Sequence, residues 1–433
     1  MSALTSLATS ALGRGVQALL PTLRRHTNEA LVGRLASLGL TRGTGRDSAH
    51  FFLNFLRHAD GRGLSPEALS GCVERYLLRP LVASEHARLQ TRARHNIAGL
   101  RSLILSPTVA CNLRCEHCYN LYEIHEDGRD RLTRDAMTRV VREARALGAY
   151  RVSVIGGEPL LRWRDLVAVA QDASDVLFTV FSNGHLLTDE VAEALVAAGN
   201  VELAVSIDGP KHLHDVWRGE GSYERATSAL TRYVEAGGMG IFAPTVTREN
   251  YKILLSDDFI DAMLACGAYM GYLHHYDLLG GQQRTDWLLD DADLRWMQAR
   301  IETLHRDRPL SLMSNVVSDL LRGGCPAVRD FVHVNHKGEV EPCCMVPFAA
   351  DSVYAKPLHE ILRSRFFQDI RDASADDQGI KRCLVGENLV VLKRAVDRDQ
   401  ARPTTRPAMQ VFAQHDPEVL HRMPTCFSVP TPT

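Results

Sequence analysis

Leu103-Ile104-Leu105-Ser106-Pro107-Thr108-Val109-Ala110-Cys111-Asn112-Leu113-Arg114-Cys115-Glu116-His117-Cys118-Tyr119-Asn120 sets a short apolar run directly before three cysteines at CxxxCxxC spacing. The apolar run reads as a strand, and the thiols follow where that strand gives way to a loop. Three thiolates can ligate three irons of a cubane cluster and leave the fourth iron open to a small molecule. The competing reading is a zinc knuckle, but zinc takes four ligands and usually draws them from paired CxxC units.

Beyond this stretch, short β-rich runs alternate with helical patterns. Strands are expected at 103–109, 152–155, 177–181, 203–207, 241–246 and 270–276, with helices at 133–147, 189–198, 222–236 and 258–266. Strand–helix units in succession imply a parallel sheet with helices outside it. Six units are too few for a closed eight-fold barrel, so the expected α/β fold is a partial (β/α)6 TIM-like barrel. In such folds the chemistry sits at the C-terminal ends of the strands.

Each further motif falls at such an end. The second strand runs into Gly156-Gly157-Glu158-Pro159, where two glycines let a ligand approach the backbone. The third ends at Ser182-Asn183-Gly184 and the fourth at Ser206-Ile207-Asp208-Gly209-Pro210, followed by His214-Asp215-Val216-Trp217-Arg218-Gly219. Short hydroxyl, amide and carboxylate side chains there suit a ribose and an amino-acid head group. In combination, residues 101–390 resemble the radical S-adenosylmethionine (radical SAM) superfamily, in the subgroup with anaerobic sulfatase-maturing and peptide-modifying enzymes. The resemblance implies that Cys111, Cys115 and Cys118 hold a 4Fe-4S cluster. It also implies that Gly156, Gly157 and Glu158 hold the methionyl amine of S-adenosylmethionine. Ser206 and, twelve residues on, Arg218 have the family's spacing for cofactor binding, and an arginine can grip the methionyl carboxylate with both arms. Ser182, Asn183 and Asp208 complete the expected cofactor set. Where many members carry Tyr, Phe or Trp near the adenine, this chain has His117.

A second cysteine group lies downstream. Cys325 precedes Pro326, and Phe331-Val332-His333-Val334, Asn335-His336-Lys337-Gly338 and Glu339-Val340-Glu341 read as a β-hairpin returning Cys343 towards Cys325. This spacing resembles the SPASM/twitch extension, which carries auxiliary iron–sulfur clusters. Cys383 stands without the closely spaced cysteines of a full SPASM pattern, so the resemblance is to the shortened form with a single auxiliary 4Fe-4S cluster on Cys325, Cys343 and Cys383. Cys344, Cys426, a non-cysteine group or no fourth ligand at all remain the alternatives at the fourth iron, and a structural zinc site is the alternative for the whole group. Cys72 and Cys266 read as core residues.

A chain of 433 residues with 45% hydrophobic content is long enough for more than one domain. Residues 1–100 read as a helical N-terminal extension, 101–310 as the core, 311–395 as the auxiliary iron–sulfur domain and 396–433 as a Pro-rich tail. A formal net charge of −2 argues against nucleic acid as a partner. No apolar run reaches bilayer length, no signal-peptide core opens the sequence, and the ten cysteines are grouped in short motifs. A cytoplasmic protein is expected. Leu12, Val16, Leu19 and Leu23, with Arg14, Arg24 and Arg25 elsewhere on the helix, form a basic amphipathic pattern that can pack on the protein itself or lie on a membrane surface.

The sixth strand ends in His274-His275-Tyr276-Asp277. Alternation gives His275 and Asp277 one face, His274 and Tyr276 the other, and one pair should meet the barrel interior. His275, Tyr276 and Asp277 are therefore the candidate proton carriers. The resemblance implies an enzyme that receives electrons from a flavodoxin or ferredoxin and generates a 5′-deoxyadenosyl radical. That radical would oxidise, epimerise or cross-link a peptide or small metabolite. A lipid alkyl chain as substrate and a non-catalytic zinc-binding interaction protein are the alternatives.

Overall fold

Strands form where β-branched and aromatic residues face two packed surfaces, and helices start where a Thr, Ser or Asp side chain can cap them. A computed structural model describes residues 79–97, 99–120, 132–276, 284–314, 326–375, 389–405 and 408. A first helix, α1 (Arg79–His95), precedes β1 (Ser102–Leu105), α2 (Arg134–Ala146), β2 (Arg151–Val154), α3 (Trp163–Asp172), β3 (Leu177–Ser182), α4 (Asp189–Ala198) and β4 (Val201–Val205). Next come α5 (Lys211–Arg218), α6 (Ser222–Glu235), β5 (Met239–Phe242), β6 (Thr245–Val246), α7 (Tyr251–Leu254), α8 (Asp257–Ala265) and β7 (Met270–His275). Thr133, Thr188 and Ser256 each accept a backbone N–H at the start of α2, α4 and α8.

All six expected strands are present, with two changes that proline explains. The first stops at Leu105, before Pro107, and the fifth is divided at Ala243-Pro244 into β5 and β6, because proline offers no N–H to a ladder. After β7 come α9 (Asp291–Asp307), β8 (Ser311–Ser314), β9 (Phe331–Val334), β10 (Val340–Glu341), β11 (Phe348–Ala349), α10 (Leu358–Leu362), α11 (Arg365–Ala375), α12 (Leu389–Asp399) and β12 (Arg402–Pro403).

The main sheet has the order β10-β9-β1-β2-β3-β4-β5-β7-β6, with β8 also paired to β7. Apart from the β9–β10 hairpin its pairings are parallel, so the curled sheet of a partial TIM-like barrel is observed. The hairpin expected in the auxiliary segment forms, but it does not stand apart. β9 pairs in parallel with β1 in the register Ser102↔Phe331 to Leu105↔Val334 and so extends the barrel sheet.

Leu103, Val154, Val180, Leu203, Phe242, Leu273 and Val332 point outward into the core shared with the helices. Their neighbours point to the concave side. There Glu202 accepts from Thr179 Oγ1 at 3.0 Å and from Tyr269 Oη at 2.5 Å, with Arg151 at 3.6 Å, closing the barrel floor with a satisfied charge. The amphipathic pattern between residues 12 and 25 lies outside the described residues. Among those described, no helix is long and apolar enough to cross a membrane.

Candidate cluster and cofactor site

The cysteine loop rests on the end of β2. Gly157 N donates to Thr108 O at 2.9 Å and Glu158 N to Ala110 O at 2.8 Å. A Cβ on Gly157 would stand 2.1 Å from Ala110 O, and one on Gly156 (φ 131°) would stand 2.4 Å from Thr108 O. The glycines thus admit the cysteine loop's own backbone at the strand end.

Cys115 is buried, Cys111 and Cys118 are half-buried, and all three are free thiols. Leu113 N donates to Cys111 Sγ at 3.4 Å, Asn183 Nδ2 lies 3.9 Å from the same sulfur, and Arg218 Nη1 lies 3.8 Å from Cys115 Sγ. Burial raises the pKa of all three; Cys118, crowded also by Cys115, is pushed up to about 12. Such thiols become thiolates when a bound cation's charge offsets the burial. Among the described residues, no three His, Cys, Asp or Glu side chains converge on a point that could hold a single metal ion. A cluster that gives each thiolate its own iron asks for a wider spread. The donor set, with N–H groups aimed at sulfur, fits such a cluster.

Glu158 is 1% exposed, and its carboxylate accepts from Leu160 N at 2.9 Å, Ser182 Oγ at 2.8 Å and Asn183 N at 2.8 Å. Burial raises its pKa and these donors oppose the rise. Its side chain therefore joins the ends of β2 and β3. Asn183 Nδ2 donates onward to Asn112 Oδ1 at 2.9 Å, pinning the cysteine loop from a third strand. Ser206 N donates to Ser182 O at 2.9 Å, and among the described residues its half-buried hydroxyl has no partner.

Asp208 and Arg218, expected to meet the cofactor separately, are bound to each other. Arg218 Nε makes a short hydrogen bond to Asp208 Oδ2 and Nη2 lies 3.4 Å from Oδ1, while Thr245 N donates to Oδ1 at 2.7 Å. Burial favours the protonated acid, but Arg218 and His117 outweigh it and hold Asp208 far below the usual carboxylate range. Arg218 keeps Nη1 directed at Cys115. His117 does not present an open ring face: its Nε2 lies 3.2 Å from Arg218 Nη2 and 3.5 Å from Asp208 Oδ2, and Trp217 lies 5.1 Å away between ring centroids. Burial lowers its pKa to about 4, and among the described residues Nδ1 has no hydrogen-bond partner. The sequence reading missed Trp217; its place beside Arg218 on the short α5 was the available signal.

In the second cysteine group, Cys343 begins a turn in which Val346 N donates to its carbonyl at 2.9 Å. Cys325, Cys383 and Cys426 lie outside the described residues. Burial first, and then Cys344 and Cys118, raise the pKa of half-buried Tyr119. Polar contacts tie the hairpin to β1: Ser106 Oγ to His333 Nε2 at 2.8 Å and His333 Nδ1 to Glu341 at 2.6 Å. Glu341 also accepts from Asn335 and Thr404, each at 2.6 Å. Cys266 caps the end of α8 and packs against the core.

The sixth-strand candidates are divided. Leu273 faces outward, so His275 does too, and its Nε2 lies 2.8 Å from Ser314 Oγ on β8. A base on the helix-facing side is turned away from the barrel interior, which removes His275 as a carrier. Tyr276 is buried against Trp287 and Trp217, and its hydroxyl accepts from Arg284 N at 3.3 Å. Asp277 lies outside the described residues. His274, on the opposite face, points inward.

Residues 105–256 match the family model of the Radical SAM superfamily, and residues 325–384 that of an iron–sulfur cluster-binding domain, SPASM. An AdoMet-dependent heme synthase of Methanosarcina barkeri is 25% identical over 292 residues, covering 61% of this chain and 83% of the relative. Mycofactocin maturase MftC of Mycobacterium tuberculosis is 32% identical over 166 residues, 37% of this chain and 41% of that protein. Among solved structures, Streptococcus suis SuiB shares the fold with a TM-score of 0.55 at 18% identity, over 66% of this chain and 71% of that one.

Proposed function

Because the chain belongs to the radical SAM superfamily and carries an iron–sulfur SPASM segment, we propose that it removes hydrogen from an unactivated C–H bond of a peptide or small metabolite held in the barrel. Oxidation, epimerisation or bond formation would follow. The cluster and S-adenosylmethionine, when bound, supply the 5′-deoxyadenosyl radical; the protein's part is to hold, orient and shield. Cys111, Cys115 and Cys118 would hold the cluster. The Gly156-Gly157 strand end, Ser206 and the Nη1 arm of Arg218 would hold the methionyl group, with Ser182 and Asn183 bracing the site through Glu158. Asp208 keeps Arg218 oriented at the cluster loop.

The observation that carries this reading is the trio of free thiols on the β1 loop, with Arg218 Nη1 3.8 Å from Cys115 Sγ. The breadth of the substrate range draws support from both relatives: one is named an AdoMet-dependent heme synthase and the other a mycofactocin maturase. A non-catalytic zinc protein gives way to the family match. The lipid reading keeps only the amphipathic segment outside the described residues. Electrons would come from a flavodoxin or ferredoxin. Cys343, with Cys325 and Cys383, would hold the auxiliary cluster.

Anaerobically reconstituted protein with dithionite and S-adenosylmethionine should yield 5′-deoxyadenosine, and Cys115→Ala should yield none. Equal product from both proteins would overturn the reading.

A further inference from the structure

Phe181 on β3 and His274 on β7 are not on neighbouring strands, for β4 and β5 lie between them. Their ring centroids are nevertheless 5.1 Å apart, and Phe181 stands edge-on 5.5 Å from Tyr272. Contact across two intervening strands requires a curled sheet with all three side chains on its concave face. Tyr272 and His274 stack at 4.5 Å with 30° between their planes. Rings that merely filled the barrel would be fully buried, yet all three remain half-buried and so border open space. Among the described residues no hydrogen bond reaches the His274 ring. Burial lowers its pKa to about 4, leaving a neutral imidazole with one acceptor nitrogen and one N–H.

We propose that Phe181, Tyr272 and His274 form the substrate-recognition wall of the barrel and take a flat unsaturated ring that carries a hydroxyl or N–H. The ring packs edge-on or offset against Phe181 and Tyr272, the arrangements that aromatic quadrupoles favour. Its O–H or N–H donates to the neutral nitrogen of His274. A leucine-like group would satisfy neither surface. This assignment rests on the proposed function only in placing substrate inside the barrel. An aromatic side chain within a peptide and a free aromatic molecule share the recognised chemistry.

The test is equilibrium dialysis of the full chain, reconstituted with iron, sulfide and S-adenosylmethionine. The probes are N-acetyl-L-tyrosinamide, N-acetyl-L-phenylalaninamide and N-acetyl-L-leucinamide. Affinity should fall in that order, with about fivefold between the first two, the size of one neutral hydrogen bond. His274→Leu should abolish the tyrosine preference while keeping phenylalaninamide binding, and His274→Asn, which retains an acceptor, should restore part of it. Phe181→Leu should weaken both aromatic probes together. Free p-cresol separates the sources: weaker than tyrosinamide indicates a peptide, equal affinity a free ring, and either supports the wall. Leucinamide binding as tightly as tyrosinamide, no saturable aromatic binding, or an undiminished tyrosine preference in His274→Leu would overturn it. If the wild type releases no 5′-deoxyadenosine, the proposed function fails, while the probe order still decides the wall.

Discussion

A methyl group at residue 157 would meet the carbonyl oxygens of Ala110 and Val109 at 2.1 and 2.3 Å. Both obstacles are backbone, so no flexible side chain can give way. Gly157→Ala is expected to lift the cysteine loop from β2, costing about 1–3 kcal/mol, and to lower the iron retained after reconstitution, measured by metal analysis beside a thermal melt. Asp208→Asn tests the other half of the site. It leaves the Arg218 cation, whose side chain is 10% exposed, without its counter-charge, and loss of one partner from a buried pair costs about 3–5 kcal/mol. A urea midpoint unchanged in Asp208→Asn would show that the pair does not brace the loop. Spacing made Cys111, Cys115, Cys118 and the two glycines legible in the sequence, because their chemistry is local. The mutual pairing of Asp208 and Arg218 and the covering of His117 by Trp217 were not legible, because spacing along a chain does not state which groups meet.

Elements are joined by single buried polar groups. Asn200 Nδ2 lies 2.9, 3.0 and 2.7 Å from the carbonyl oxygens of Ala170, Ala173 and Val176, fastening the α3–β3 turn to the start of β4. Asn200→Ala should remove the side-chain donor those carbonyls share and cost about 1–3 kcal/mol, read as a lower melting temperature with no change in iron content. Glu341 is the corresponding group in the hairpin, accepting from His333, Asn335 and Thr404. The short β-rich runs announced the strands, and the helical patterns between them announced the helices. What they could not announce was that β9 pairs with β1. Both strands read as apolar runs with free edges, and edge choice is settled by tertiary packing. The inward turn of His274 rather than His275 was open for a related reason: alternation fixes the pairs but not which pair faces in.

The whole molecule answers to pH through imidazoles held in the neutral form. Burial lowers His214 and His274 to about 4 and His275 to about 3, against an ordinary value of 6.5. As pH falls below 6.5 the unfolded chain takes up protons that the folded one refuses. The stability these groups contribute is thus full above 6.5 and is lost towards pH 4, by about 1.4 kcal/mol per pH unit for each imidazole. Urea midpoints at pH 7.5, 6 and 5 should decline steadily; a flat profile would show that these rings protonate without unfolding. The iron content of reconstituted protein should approach about eight atoms per chain if two cubanes fill. Joint replacement of Cys325, Cys343 and Cys383 should halve it. The β9–β1 pairing also sets an order of events during synthesis. Arg101 and Asp330, beside the first paired residues, are 229 residues apart in the chain. At about 5–20 residues per second, β1 leaves the ribosome roughly 10–50 s before the strand that will cover its edge. For that interval the nascent barrel carries an unpaired hydrophobic margin just ahead of its three thiols, an open edge on which another strand could pair until β9 arrives.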